Sequence, residues 1–346
     1  MANETTPIRL GTRRSRLAVA QSGTVARELE RVSGRPVELV QITSEGDTNR
    51  ASLASLGGAG VFATRLREAL RAGECDILVH SLKDLPVEQP PGLVIAATPP
   101  RADARDVVIT RDGVTLDELP ARSRIGTGSP RRMAQVRRAN PQAAVHDLRG
   151  NIDSRMGRVR DDELDAVILA AAGLVRTGSD DAEIPTVAGL SVEPRVLSSW
   201  PTAAGQAALA VETLTDADPQ LLAWLGELDA PLTRFAVTLE RAVLGGIEAG
   251  CHAPVGIHAQ TSDGTVHVRA GVYGDESHDD VTLDHSERLD GFESLIEGYI
   301  QARGSGAAAD SSGLTVRARE IGSELARRLL RYGAADIVNR EAAPTS

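Results

Sequence analysis

Lysine is almost missing from this chain: of its 38 basic residues, Lys83 is the one that is not arginine. A compositional bias toward arginine accounts for the others but not for the exception. Position 83 is therefore a candidate for a compact ammonium on a flexible stem, which arginine's planar fork does not imitate; chance retention is the competing reading. Cysteine is scarce too. Cys75 and Cys251 are the two present, too few for a disulfide framework or a cysteine-rich metal site. No pair among the seven histidines has metal-ligand spacing, and His278 and His285 sit among acids in an expected solvated loop. No apolar run approaches the ~18 residues of a membrane span. Met1 to Pro7 lacks the apolar core of a secretion signal, so a cytoplasmic protein is expected. No Gly-Lys-Ser or Gly-Lys-Thr occurs, so a Walker-type phosphate loop is excluded. The net charge of −10 argues against a general nucleic-acid surface.

What is present is ordinary globular material: 346 residues, 41% hydrophobic, enough for two or three domains. Ile8 to Thr12 reads as a strand running into a turn, followed by a helix from Ser15 to Val32 with Leu17, Val25 and Leu29 on its apolar face. Strands follow at Val37–Ile42, Asp76–His80, Leu93–Ala97 and Asp106–Thr110, with Pro99-Pro100 as a domain crossing. The pattern then restarts. Arg124-Ile125-Gly126-Thr127 echoes Arg9-Leu10-Gly11-Thr12, and further strands at Val145–Leu148 and Asp165–Ala170 alternate with helices. Such alternation predicts parallel sheets in two similar α/β domains flanking a cleft, the layout of periplasmic binding proteins. From Leu232 the style changes to a helix, a hairpin over Val255–Tyr273, a third antiparallel strand and two more helices, with a small polar loop from Gly304 to Gly313. This predicts a C-terminal α+β domain with a small antiparallel sheet.

The arginines gather where strands pass into helices: Arg13 and Arg14 after the first strand, Arg131 and Arg132 after Gly126-Thr127-Gly128-Ser129-Pro130, then Arg149, Arg155 and Arg176. In open α/β sheets ligands bind at that edge, where helix N-termini offer free N–H groups. Gly126 and Gly128 would let the backbone approach an anion, and Ser129 adds a hydroxyl. Arginine forks match carboxylate or phosphate. From Arg124 to Arg176 ten arginines face six acids, a local excess of +4 in an acidic chain, which points to a small polyanion. Arg137, Arg138, Arg158 and Arg160 are better read as surface partners of Asp147, Asp153 or Asp161.

Beyond the strand ending at His80 lies His80-Ser81-Leu82-Lys83-Asp84-Leu85-Pro86, which closely resembles the signature around the catalytic aspartate of the porphobilinogen deaminase (hydroxymethylbilane synthase) family. Five further motifs resemble that family in collinear order: Gly11 to Ser15, Gly126 to Arg132, Leu148 to Arg155, Asp165 to Arg176, and Glu248-Ala249-Gly250-Cys251-His252-Ala253-Pro254-Val255-Gly256. The resemblance implies stepwise joining of four porphobilinogen molecules with release of ammonia, primed on a dipyrromethane held by a thioether to cysteine. That cysteine maps to Cys251, and Cys75 reads as core. Asp84 would be catalytic, accepting pyrrole N–H hydrogen bonds and stabilising cationic stages. Lys83, Ser81, Thr127, Ser129, Arg131, Arg132, Arg155 and Asp84 would hold the cofactor. Arg13, Ser15, Arg149, Arg155, Arg176, Phe62 and Gln206 would hold the substrate or growing chain. The implied protein is a monomer acting on a small molecule, without membrane or nucleic acid. The division expected is residues 1–102 with 199–222, 103–198, and 230–346.

Two regions depart from the family pattern. Leu56 to Phe62 resembles a lid, but Ser55 and Ala59 stand where many members carry lysine; Phe62 could equally be core. Thr202 to Ala207 is looser than the family's Gly-Gln-Gly, which leaves a hydrogen-bonding role for Gln206 open. A non-catalytic two-domain anion-binding protein is the rival reading, and a phosphate-ester transferase a second. The first gives no reason for Lys83-Asp84 or Cys251, and the second lacks its phosphate-loop lysine and metal ligands.

Overall fold

A computed structural model describes residues 6–43, 60–178, 187–249, 253–274, 279–304 and 311–342, apart from the side chains of 60–62 and 340–342. Cys251, the lid positions 55 and 59, the Phe62 side chain, His278 and most of the loop expected at 304–313 lie outside the described residues.

The first α/β unit begins with β1 (Ile8–Thr12), α1 (Arg16–Ser33) and β2 (Val37–Gln41), followed by α2 (Gly60–Arg71), β3 (Ile77–Ser81) and β4 (Leu93–Ala97). Ser15 starts α1 by accepting a hydrogen bond from the Ala18 N–H at 3.3 Å. Val25 and Leu29 of α1 bury against Ile8, Leu10 and Ile77 on one sheet face, while Leu66 and Leu70 of α2 meet Leu78 and Leu93 on the other. Each fully buried aliphatic side chain there contributes roughly 1.5–3 kcal/mol.

The second unit runs through β5 (Asp106–Thr110), β6 (Arg124–Gly126), α3 (Pro130–Ala139), β7 (Ala144–His146), α4 (Ile152–Arg160), β8 (Ala166–Ala170), α5 (Ala171–Thr177) and β9 (Ser191–Pro194). The chain then returns with β10 (Leu209–Leu214) and α6 (Pro219–Leu228). Strand order is β2-β1-β3-β10-β4 in one sheet and β7-β6-β8-β5-β9 in the other.

Both sheets are mixed, not parallel as strand–helix alternation suggested. β10 runs antiparallel to β3 and β4, and β5 antiparallel to β8 and β9. In each sheet the fourth strand is supplied by a chain arriving from the other unit, so it enters from the opposite end. The echo between the two restarts is structural. The Arg9 N–H and guanidinium bind Asp76 at 2.8 and 2.6 Å, and Arg124 binds Asp165 in the same two ways at 2.7 and 2.9 Å.

The C-terminal domain packs α7 (Pro231–Gly246) and α9 (Gly313–Arg331) on the antiparallel sheet β11 (Val255–Ser262), β12 (Thr265–Val272) and β13 (Val281–Arg288), with α8 (Phe292–Ala302) and α10 (Ala334–Ala342) alongside. The hairpin closes on Asp263-Gly264, both at positive φ (49° and 70°). His285 lies on β13 and contacts Glu287 at 3.2 Å, so it belongs to the sheet and not to a solvated loop. No helix among the described residues is long and apolar enough to cross a membrane.

One carboxylate ties the parts together. Glu240 of α7 is fully buried. It accepts from Arg101 at 2.7 and 3.1 Å, from the Gly205 N–H at 2.7 Å and from the Ala259 N–H at 2.8 Å. Arg101 lies on the first crossing between the α/β units, Gly205 on the second, and Ala259 on β11. Removing one member of such a pair leaves its partner's charge uncompensated. Glu240→Gln is expected to cost about 3 kcal/mol in urea unfolding; an unchanged midpoint would show that the junction does not depend on this charge.

Candidate active site

The carboxyl ends of β1, β3, β6, β7 and β8 lead into the segments that carry the candidate residues. Ser129 caps α3 by accepting from the Arg132 N–H at 3.5 Å, and Pro130 takes the first helical position. Asn151 caps α4 through the Ser154 N–H at 2.8 Å. The partial positive ends of these helices therefore add to the arginine charge.

At the centre is a residue outside the sequence-derived set. Asp106, the first residue of β5, has no exposed surface. Arg131 approaches it at 2.9 Å and Arg132 at 2.6 Å, while the Trp200 indole donates at 3.0 Å and the Gln206 amide at 2.8 Å. The two guanidinium groups hold the Asp106 carboxyl far below the usual range, overcoming the opposite effect of burial. Arg131 and Arg132 are themselves only 4% and 7% exposed. Arg131 also donates to the Gln135 side chain at 2.6 Å and the Pro201 carbonyl at 3.3 Å, and Arg132 to the Ile168 carbonyl at 3.1 Å. The Nε atoms of both arginines are buried with no hydrogen-bond partner.

Gln206 joins this cluster to the Lys83-Asp84 turn. It is fully buried, donates to the Ala104 carbonyl at 2.8 Å as well as to Asp106, and its Oε1 accepts from Lys83 Nζ at 3.2 Å. A direct substrate contact by Gln206 is therefore not what this geometry offers; the side chain positions Lys83. Leu82, Lys83 and Asp84 form a single 3-10 turn after β3, with Leu82 buried, Lys83 half-buried and Asp84 exposed. Burial, reinforced by repulsion from Arg132, brings the Lys83 ammonium down to about 8.

The remaining candidates fall into two groups. Arg155 is half-buried, donates to the Gly150 carbonyl at 2.8 Å, and is pushed down by burial and by Arg132. Arg176 donates to the Ala207 carbonyl at 2.6 Å, next to Gln206, and burial brings it down to about 10. Arg155 is thus linked to the cluster electrostatically through Arg132, and Arg176 through the backbone beside Gln206. Arg13 is half-buried beyond β1, Ser15 caps α1, and Arg149 is exposed and pairs with Asp147 at 3.2 Å. Ser81 exchanges hydrogen bonds with Gln21 at 2.9 and 3.3 Å, and the buried Thr127 hydroxyl accepts from the Ser129 N–H at 3.3 Å. Thr127 and Ser129 thus shape the loop.

Its glycines serve packing. A Cβ at Gly126 would meet Leu164 and Leu148 at 2.6 and 2.7 Å, and one at Gly128 would meet the Leu148 carbonyl at 2.7 Å. The tight approach expected for an anion is made by the protein's own chain. The expected surface pairs are also redistributed: Arg158 pairs with Glu163, Arg138 reaches Asp280 near the C-terminal sheet, and Asp153 pairs with Arg16.

Lys83, Arg131 and Arg132, with Arg155 in electrostatic reach of Arg132, thus outnumber the carboxylates Asp84 and Asp106, and Arg176 adjoins them through the Ala207 backbone. Burial is the first cause of the depressed values of Lys83, Arg131, Arg155 and Arg176, and repulsion within that excess adds to it at the first three. Carboxylates brought by a ligand would relieve it, and the two orphaned Nε atoms give buried donors to spare. A group rich in carboxylates fits these residues. Cys75 takes no part: it is buried, and burial raises its thiol to about 11.

Asp106 was missed because the basic stretch was counted from Arg124. The available signal was an acid opening a continuous apolar strand, since a charge so placed requires a partner. Asp106→Asn leaves two buried guanidinium groups to share one neutral amide. It is expected to lower stability by roughly 3–5 kcal/mol in chemical denaturation; a loss below about 1 kcal/mol would remove Asp106 from the centre of the site.

Comparison with known proteins agrees with this geometry. Residues 8–222 match the family model described as porphobilinogen deaminase, dipyromethane cofactor binding domain, and residues 234–288 match the porphobilinogen deaminase C-terminal domain. A porphobilinogen deaminase of Leifsonia xyli is 46% identical over 95% of this chain and 94% of its own length. Porphobilinogen deaminase 1 of Streptomyces coelicolor is 54% identical over 72% of this chain and 76% of its own, and the Mycobacterium tuberculosis porphobilinogen deaminase 42% identical over 96% and 98%. With half of the chain and more matched in this way, it belongs to the porphobilinogen deaminase family, transferases of tetrapyrrole biosynthesis that work with a dipyrromethane cofactor.

Proposed function

We propose that this chain joins four porphobilinogen molecules head to tail at the Lys83-Asp84 turn, with Cys251 anchoring the dipyrromethane. The observation that carries the assignment is the excess of buried positive charge around Asp106, set beside the exposed carboxylate of Asp84. Bound dipyrromethane supplies a nucleophilic pyrrole carbon from which the chain grows. Each addition breaks the aminomethyl C–N bond, releases ammonia, forms a C–C bond and expels one ring proton. Asp84 accepts hydrogen bonds from pyrrole N–H groups, stabilises positive charge on the incoming ring and takes part in proton movement. Lys83, Arg131, Arg132 and Arg155 bind cofactor acetates and propionates, supported by Ser81, Thr127 and Ser129. Arg13, Ser15, Arg149, Arg155, Arg176 and Phe62 receive the substrate and the growing end.

Cys251 is the remaining thiol once Cys75 is set aside as core. Gly256, five residues on, lies against Pro201, whose carbonyl also accepts from Arg131. The same reading treats residues 1–102 with 199–222, 103–198, and 230–346 as the three domains, a division supported by the membership of the three sheets. A cytoplasmic monomer acting on a small molecule, with no nucleic acid partner, completes it; the net charge of −10 supports the last point.

Intact mass of the purified protein should exceed the chain mass by two pyrrole units, and Cys251→Ala should abolish the increment. A fully active protein without the increment would overturn the anchoring. Asp84→Asn should fold normally and lose turnover by about 10²- to 10⁴-fold; near wild-type turnover would show that the carboxylate is not catalytic.

A further inference from the structure

Helix α3 turns one face toward the C-terminal domain. Arg131, Gln135 and Arg138 fall at i, i+4 and i+7 on that face. Arg138 pairs with Asp280, donates to the Gly274 carbonyl at 2.8 Å and stacks over the Tyr273 ring at 5.1 Å. Tyr273 lies just beyond β12, and its buried hydroxyl accepts from the Gln135 amide at 3.2 Å. The same amide nitrogen donates to the Pro201 carbonyl at 3.0 Å, and the Gln135 oxygen accepts from Arg131 at 2.6 Å. Hydrogen bonds therefore run without a break from the C-terminal domain to a guanidinium of the Asp106 cluster.

Each part of this path has a directional job. The Gln135 side chain is buried and carries two N–H donors. The Pro201 carbonyl satisfies one and the Tyr273 hydroxyl the other, which leaves the amide oxygen turned to Arg131. Without that hydroxyl a buried N–H loses its acceptor, and the amide has reason to turn. Gln135, the Pro201 carbonyl and Asp106 all meet Arg131 at Nη1, while its Nε is buried without a partner. A fork pinned at one terminal nitrogen holds its remaining donors in one orientation, ready for a carboxylate. Gly271 makes room for the arrangement: a Cβ there would stand 2.5 Å from the Tyr273 hydroxyl oxygen and 2.6 Å from Cζ. The Tyr273 backbone N–H also donates to the Pro254 carbonyl at 3.0 Å, three residues beyond Cys251 in the chain.

We propose that Tyr273 is a positioning residue for the reaction: acting through Gln135, it sets the Arg131 guanidinium in the orientation that takes a dipyrromethane carboxylate. The domain that bears Cys251 thereby also aims an arginine of the neighbouring α/β unit. This rests on Arg131 being a cofactor ligand. The test measures kcat and KM for porphobilinogen on holoenzyme, with urea midpoints, for Tyr273→Phe, Gln135→Leu, the two combined, and Asp280→Asn. Arg131 is assigned to the cofactor and not to the incoming molecule. Tyr273→Phe should therefore lower kcat about three- to tenfold, the weight of one lost neutral hydrogen bond, and leave KM within about twofold of wild type. Gln135→Leu should lower kcat at least as far, and adding Tyr273→Phe to it should change nothing more, because the path to Arg131 is already cut. Asp280→Asn breaks the neighbouring contact between the same elements, so kcat should stay at the wild-type value whatever happens to the urea midpoint. An unchanged kcat in Tyr273→Phe, an equal fall in Asp280→Asn, or additive effects of Tyr273→Phe and Gln135→Leu would each overturn the positioning role. The assignment beneath it is tested by Arg131→Leu, or by Arg131→Lys, which keeps the charge beside Asp106 but not the fork, should the first fail to fold. Full cofactor content by intact mass and unchanged kcat there would remove Arg131 from the cofactor site; a loss there with Tyr273→Phe silent would overturn the role of Tyr273 alone.

Discussion

The site depends on one buried ion cluster. Asp106 brings Arg131 and Arg132 into the interior and, through Gln206, fixes the position of Lys83. A single carboxylate against two guanidinium groups and an ammonium is a deliberate imbalance. It is enough to keep the arginines ordered while leaving positive charge for carboxylate-bearing rings. A cluster neutralised fully would be better packed and chemically idle; one with no Asp106 would face the full desolvation cost of its cations. The half-buried Lys83 is where that imbalance meets the turn bearing Asp84.

The same cluster shows why the chain crosses twice between its α/β units. Asp106 opens β5, the strand delivered by the first crossing, and Gln206 lies on the second, just before β10. Arg101 on the first crossing donates to the Gln206 carbonyl at 2.8 Å and to Glu240, which also holds Gly205 and β11. The segments that join the units therefore also hold the site's charge. Arg16 of α1 adds a contact across the units, reaching Asp153 at 3.2 Å and the Thr177 carbonyl at 2.6 Å. This exposed pair is worth little to stability.

Much of this was legible in the sequence. The restart at Arg124 could be read because two similar units impose the same local constraints: an arginine to bind the aspartate before the neighbouring strand, then a glycine, then a buried threonine. Arginines at strand ends could be read because strand direction and helix start place them together. Residues whose partners are remote in the chain could not. Leu209 to Leu214 is a short apolar run after an irregular crossing, and only tertiary pairing with β3 and β4 identifies it as a central strand. Gln206 in isolation suggested a ligand contact, whereas its partners are Asp106 and Lys83, 100 and 123 residues away. The glycines at 126 and 128 suggested an anion cradle because the sequence does not show Leu148 and Leu164 already filling that space.

The central claim, that ligand carboxylates settle into the cationic cluster beside Asp84, is most directly tested at Lys83. As the single lysine it gives the one side-chain signal in NMR after reductive 13C-methylation, beside that of the α-amino group. In the cofactor-free Cys251→Ala chain its ammonium should titrate near 8, as burial beside Arg132 dictates. In the cofactor-bearing protein a neighbouring carboxylate should move that titration clearly upward. The same midpoint in both forms would contradict the account, because it would mean that no cofactor carboxylate reaches the cluster Asp106 holds in place.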